Sequence, residues 1–461
     1  MRDTTASLPP GPRLPRRIQR LAMSFWQLGF IEACRRRYRD LATVTGLVDS
    51  PVVMIFDPDL VMQVFRAPAE RLRAGEANAA LRVVFGERSV FTLDGPEHQR
   101  QRRLLSAALR GGRIQAYEAA MLAAADREIE SWPVGEPFAL LPSMRSLTLD
   151  VILEAVFGVD QGLARDELKH RLQALLTPSA GWPTALMLVV SAGRWGGPRR
   201  RFEERRRLVD IVIYEEIARR RAAPDLERRQ DVLSLMLLAC DEDDRAMTDE
   251  EVRDQLITML VAGHETTAGG LAWAFDLLLR HPAVLVRLQA ELADGDGDFL
   301  NAVVKETLRI RPPVVGVVPR RVVAGGPYEL GGYLLPPGSH VSPAISAIHR
   351  RPDRYPDPDA FRPDRFLGPD APDAYSWLPF GGGPRRCLGA GFATYEMAVV
   401  IGRVLERTRL APVGGRPERP HANRLTVVPK TGTRVIQVEA PRANPVEASV
   451  PDREDHARTA S

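Results

Sequence analysis

The chain is predicted to be mainly α-helical with a small β region, and three observations carry that expectation. Apolar residues recur at helical spacing over most of the stretch from Gln115 to Ala239. A helix-start signal at Thr248 opens a run that no proline interrupts until Pro282. Alternation of apolar and polar residues is confined to short runs such as Ala42–Leu47 and Val52–Ile55.

The 461 residues are 44% hydrophobic and 26% charged, an ordinary soluble composition, and the length admits one large domain as well as several. Three cysteines, Cys34, Cys240 and Cys387, stand far apart with no Cys-x-x-Cys, which excludes a disulfide framework and an iron-sulfur or zinc site and fits a reducing cytoplasm. The net charge is +4, yet the basic runs 199–207 and 219–221 are interleaved with Glu203, Glu204, Glu215 and Glu216, so solvated helix faces are expected and nucleic-acid binding is not. No window reaches the roughly 18 continuous apolar residues of a membrane span. The N-terminal candidate Leu21–Ala33 is broken by Ser24, Gln27 and Glu32, leaving weak surface contact through Phe25, Trp26 and nearby arginines as the membrane option.

In chain order, residues 1–15 form a proline-rich extended lead. Helical spacing from Ile18 to Arg39, two β runs and the helix start at Asp57-Pro58 predict a small N-terminal sheet. A helix opening at Pro96 carries His98 and Arg102 on one face, where the pair can hold a carboxylate. The helical stretch that follows is broken at Trp132-Pro133, Gly158, Gly181-Trp182-Pro183 and 193–198, and Leu147–Phe157 reads as core.

Thr248-Asp249-Glu250-Glu251 is a capping box, with Met247 and Val252 as its staple. The helix can run to Arg280, about 32 residues and roughly 48 Å. Its centre, Ala262-Gly263-His264-Glu265-Thr266-Thr267-Ala268-Gly269-Gly270, is locally poor for helix, since each glycine costs about 1 kcal/mol relative to alanine. An acid and a threonine in such a turn need a reason. Leu425–Val428 and Thr433–Val438 alternate around Pro429-Lys430-Thr431-Gly432 as a C-terminal hairpin, and 441–461 should be disordered.

The stretch Trp377–Gly391 places Cys387 directly before the helical run Phe392–Leu405 and behind Gly381, Gly382 and Gly383, which permit a tight turn. Amide N–H groups opening the helix favour a thiolate. A nucleophilic cysteine and a stabilised sulfur anion for a ligand are both open at this point.

The spacing Phe380-x-x-Gly383-x-Arg385-x-Cys387-x-Gly389 resembles the haem-binding loop of the cytochrome P-450 family, in its soluble bacterial-type form. Three further segments match in order: Asp94-Gly95-x-x-His98-x-x-x-Arg102, Ala262-Gly263-x-Glu265-Thr266-Thr267, and Glu306-x-x-Arg309 with Phe361–Phe366. The resemblance implies a single haem-thiolate domain over 16–440, with haem b between the distal helix and the cysteine loop. It makes Cys387 the iron ligand, with Phe380 near the sulfur. His98, Arg102, Arg385 and Arg320 become propionate partners. Ala262 and Gly263 border the oxygen groove, Thr266 bonds the oxygen to be activated, and Glu265 relays protons. It also implies a Glu306-Arg309-Arg365 triad, a hairpin over Gly332–Val341, a lid within Leu172–Val190, and Val314, Val315 and Val317 beside the haem.

The function so implied is insertion of one oxygen atom from O₂ into a hydrophobic small molecule, in the cytoplasm. With no reductase segment in the sequence, electrons are expected from a ferredoxin or flavodoxin and its reductase, attracted by Arg385 and Arg386 with help from Arg100 and Arg103. A peroxide-driven peroxygenase and a non-enzymatic haem-thiolate sensor stay as alternatives.

Overall fold

The computed structural model describes residues 7–45, 50–108, 114–158, 163–176, 196–295, 297–423 and 426–439. The helices used below are α1 (Arg16–Phe25), α2 (Gly95–Ala108), α3 (Leu140–Phe157), α4 (Asp249–Arg280), α5 (Asp298–Ile310) and α6 (Ala390–Arg407). The main sheet comprises β1 (Leu41–Thr45), β2 (Pro51–Ile55), β3 (Leu72–Arg73), β4 (Arg320–Val322) and β5 (His340–Pro343). The observed class is the expected one, mainly helical with small sheets.

Helix α4 is the axis of the fold. Thr248 Oγ1 accepts from the Glu251 N–H at 3.2 Å while Glu251 Oε2 accepts from the Thr248 N–H at 2.8 Å, so the capping box forms and starts a helix of 32 residues. One half buries Val252, Leu256, Ile257 and Leu260 with Leu104 and Leu105 of α2 and Leu149 and Leu153 of α3. The other half buries Leu271 and Phe275 with Leu147 of α3, Val304 of α5 and Val400 of α6. A helix apolar on most sides must be surrounded, each large side chain contributing about 1.5–3 kcal/mol on burial.

The expected softening at its glycines does not occur, because α4 is continuous through them. They instead permit close approach: a Cβ on Gly263 would lie 3.3 Å from Ile152 Cδ1 of α3, and one on Gly270 3.1 Å from Met397 Sδ of α6.

The main sheet has the order β1-β2-β5-β4-β3 and joins distant parts of the sequence. β1 and β2 are antiparallel, β2 and β5 parallel, and β4 pairs antiparallel with both β5 and β3. Two hairpin expectations are corrected. The segment Gly332–Val341 divides: Tyr333–Leu335 pairs back onto Tyr328–Leu330, whereas His340 and Val341 belong to β5 of the main sheet. The C-terminal segment divides as well, because Thr426–Pro429 pairs with Pro420–Asn423 while Arg434–Gln437 pairs with Pro137–Ala139 and Leu410–Pro412. Thr433, at φ +57 and bonded through Oγ1 to Ala272 O at 2.8 Å, turns the chain between these two sheets. The expected lid lies outside the described residues from 177 to 190, as does the tail from 441 to 461.

A buried polar chain links the core to the cysteine loop. Glu306 binds Arg309 through both oxygens, at 2.6 and 2.9 Å, and accepts from Arg365 Nε at 3.0 Å; Glu306 and Arg309 are fully buried. Arg309 Nη1 donates to His349 O and Pro358 O, each at 2.8 Å. His349 Nε2 accepts the Leu378 N–H at 2.8 Å, which leaves the ring proton on Nδ1 to donate to Arg309 O at 3.0 Å.

Burial first, and then Arg309, push the His349 imidazole down to about 3, so it stays neutral. A folded value below the unfolded one, about 6.5, means that the unfolded chain binds the proton more readily. The stabilisation is therefore complete above that value and lost as pH falls toward the folded one. Urea unfolding measured from neutral to mildly acidic pH should show stability falling, and His349→Gln should remove up to about 1.4 kcal/mol per pH unit of that slope. An unaltered slope in the variant would refute the buried neutral histidine.

Candidate functional site

The cysteine loop rests on Phe65. Gly383 has φ +62, and a Cβ there would stand 2.6 Å from Phe65 O; one on Gly382 would stand 2.4 Å from the Phe65 ring. These contacts explain the glycines as close approach. The Cys387 N–H donates to Phe380 O at 2.9 Å and closes the loop, and Trp377 meets Phe380 edge-on, with ring centroids 5.9 Å apart. Trp377 Nε1 donates to Lys305 O of α5 at 3.1 Å. The loop is thus fastened to α5 directly and through His349.

Cys387 keeps accessible surface. Gly389 has an ordinary φ of −84, and nothing stands within 4 Å of where its Cβ would be, so it borders open room. Burial raises the Cys387 thiol above its usual range, opposed by the Gly389 N–H and by Arg102 and Arg386. A bound metal cation would act in the same direction as these three groups, toward the thiolate.

A cationic group of side chains borders this region. His98 of α2 is buried, and burial, then Arg385 and Arg102, push it down to about 3, so it is a neutral imidazole. Burial and Arg385 lower Arg320 to about 10. Burial likewise lowers Arg385 to about 10, with Asp94 opposing and Arg102 adding to the effect. Arg385 Nη2 donates to Asp94 Oδ1 at 2.6 Å and to Leu93 O, and Nη1 to Val90 O at 3.0 Å. The expected propionate partner is therefore also the brace between the cysteine loop and the segment leading into α2. Arg320 Nη1 donates to Val64 O, while its Nη2 is buried without a hydrogen-bond partner. Cations held close enough to repel one another, one with an unanswered donor, fit a ligand that brings carboxylates, and the accessible cysteine fits a metal. Haem offers both.

On α4 the accessible residues cluster at the centre: Ala262 is exposed, and Val261, Gly263, Glu265 and Thr266 are half-buried, between fully buried turns. Thr266 Oγ1 donates to Ala262 O at 2.7 Å, and Thr148 Oγ1 of α3 to His264 O at 3.0 Å. Gly263 faces Ile152, so it serves helix packing. Glu265 is held by Arg145 of α3, at 2.9 and 2.6 Å, and by Asn423 Nδ2 at 2.8 Å. Sequence reasoning missed Arg145 and Asn423. They lie 120 and 158 residues from Glu265 and belong to no motif.

Two expectations change. Arg100 is not available to a redox partner, because it is buried and bonded to Asp241 at 2.5 Å and to Glu251 at 2.8 Å. Val315 is turned into a core cluster with Phe30 and Val44, whereas Val317 does approach the loop, 3.6 Å from the Cβ position of Gly381. Arg103 and Arg386 remain exposed.

Residues 9–436 match the family model for cytochrome P450. A Mycobacterium tuberculosis protein assigned the name cytochrome P450 135B1 is 42% identical over 449 residues, covering 95% of this chain and 93% of its own length. A second protein of that organism, assigned the name cytochrome P450 137, is 38% identical over 93% of this chain and 90% of its own. Among solved structures, the cytochrome P450DA haem domain superposes with a TM-score of 0.80 at 23% identity, over 95% of this chain and 98% of that one. The retinoic acid-bound cyanobacterial CYP120A1 gives 0.78 at 24%, over 94% and 99%. At these identities the structures speak for the fold, and the family match together with the mycobacterial relatives shows that the chain belongs to the cytochrome P450 family.

Proposed function

We propose that the protein is a haem-thiolate monooxygenase that inserts one oxygen atom from O₂ into a hydrophobic small molecule. The observation that carries this reading is an accessible cysteine, Cys387, with Arg102 and Arg386 near its thiol and Arg320 Nη2 buried without a hydrogen-bond partner. When bound, haem b supplies the reductive activation of O₂, which no side chain can perform.

The chain's own residues would hold that group and position what it acts on. Cys387 provides the sulfur ligand, with Phe380 and the turn at Gly383 fixing its approach and Gly389 leaving room. His98 as a neutral donor, with Arg102 and Arg320 as cations, receives the carboxylates. Arg385 adds charge while keeping its bond to Asp94. Ala262 and Gly263 border the oxygen side. The Thr266 hydroxyl, bonded to its own helix, can rotate to donate toward that side. Glu265 is the proton carrier, and Arg145, partly exposed, holds its carboxylate in place.

Electrons come from an external ferredoxin or flavodoxin with its reductase, met by Arg103 and Arg386, and the setting is cytoplasmic. The pairing of Glu265 with Thr266 favours O₂ over a peroxide-driven route, which needs no proton relay.

Three measurements test this. The reduced, carbon monoxide-bound protein should show the strongly red-shifted Soret band of thiolate ligation, and Cys387→Ser should abolish it; an imidazole-type band in the unmutated protein would overturn the assignment. With any hydrophobic ligand that shifts the spin state and is turned over, Thr266→Ala should cut coupled product formation by about tenfold or more and raise peroxide release; intact coupling would remove Thr266 from the relay. Arg103→Glu should slow ferredoxin-driven reduction by about tenfold at low salt while leaving ligand binding unaltered. Equal effects on both would place the docking surface elsewhere.

A further inference from the structure

Helix α1 packs Ala22 and Met23 against a core cluster and leaves a second apolar face exposed. The side chain it buries is Gln19, whose amide donates to Pro12 O at 3.1 Å and Leu14 O at 2.9 Å and accepts from the Thr45 N–H at 2.8 Å. Ile18, Leu21 and Phe25, spaced three and four apart and therefore on one face, are exposed by 49, 56 and 72%. Leu14 and Trp26 extend the same apolar stretch. An ordinary surface helix turns such residues toward the core and its glutamine outward. Trp26 is also seated in place: a Cβ on Gly29 would lie 2.1 Å from the indole, so a side chain at that position would displace the ring.

Charge completes the pattern. Between Leu8 and Ile31 the sequence holds Arg13, Arg16, Arg17 and Arg20 and no Asp or Glu, and the first three are exposed. Aliphatic and aromatic side chains rimmed by arginines suit a boundary that is apolar below and anionic above. With ten residues, α1 is too short to cross a bilayer and would lie in its plane. A second copy of this chain fits less well, because a two-fold contact through this face would set one arginine rim against the other. We propose that α1 and Trp26 dock the protein reversibly on an anionic lipid surface.

Sedimentation of the full-length protein with vesicles tests this, using phosphatidylcholine with and without phosphatidylglycerol at low and high salt. Binding is expected to the anionic vesicles at low salt, weaker by about tenfold or more on phosphatidylcholine alone or at high salt. Leu21→Glu with Phe25→Glu should lose anionic binding to the same degree while its melting temperature stays put, since both side chains point outward. Arg16→Gln with Arg17→Gln should weaken it without touching the apolar face. Absence of binding to either vesicle, or full binding by the double glutamate variant, would overturn the proposal. So would light scattering that shows a wild-type dimer, lost in that variant, without vesicle binding.

Discussion

The bidentate pair of Glu306 and Arg309 is the interaction on which the site depends. Both side chains are withdrawn from water, and every remaining donor of the guanidinium finds a carbonyl from a different part of the chain, at His349, Pro358 or Ala360. Removing one partner of such a pair leaves an uncompensated buried charge, at about 3–5 kcal/mol. The network converts that penalty into position. It fixes His349, His349 fixes Leu378, and the turn that follows carries Phe380 and Cys387. Arg365 and the Tyr355 ring, 4.9 Å from the Arg309 guanidinium, complete the frame.

The electrostatics around Cys387 follow the opposite logic. The core network is satisfied internally, whereas near Cys387 Arg385 opposes Arg320, Arg102 opposes Arg385, and burial disfavours the thiolate. A site that fits its ligand better than it fits itself gives up stability when empty and regains it on binding. The brace from Arg385 to Asp94 limits this opposition by giving one cation a partner within the chain. Asp94 also accepts the Gly75 and Glu76 N–H groups at 2.8 Å each, which ties the segment ahead of α2 to the β3 edge.

Local chemistry was the legible part of the sequence. The capping box at Thr248, the extent of α4, the pairing of Glu306 with Arg309 and the glycine turn before Cys387 all depend on residues a few positions apart. Strand partners were not legible: His340 and Val341 read as the second arm of a local hairpin but pair with Val52 and Val53. Leu425–Val428 and Thr433–Val438 read as one hairpin, though the strands formed there, Thr426–Pro429 and Arg434–Gln437, each find neighbours elsewhere. Alternation reports a strand and says nothing about its partner. The grip of Arg145 and Asn423 on Glu265, and the withdrawal of Arg100 into a pair with Asp241 and Glu251, were hidden for the same reason, since arginine on a helix looks alike whether it faces solvent or a carboxylate.

The parallel pairing of β2 with β5 bears on how the protein is born. Val52 must wait for His340, a partner 288 residues later in the chain. At about 5–20 residues per second the ribosome needs roughly 15–60 s to deliver it. Through that interval β1 and β2 can form only an isolated two-stranded ribbon with an open edge, a unit that is marginal in water and ready to pair with the wrong strand. The core cluster around the N-terminal half of α4 waits less, because its members end at Leu260, so the nascent chain can close this part of its interior before β2 finds its partner.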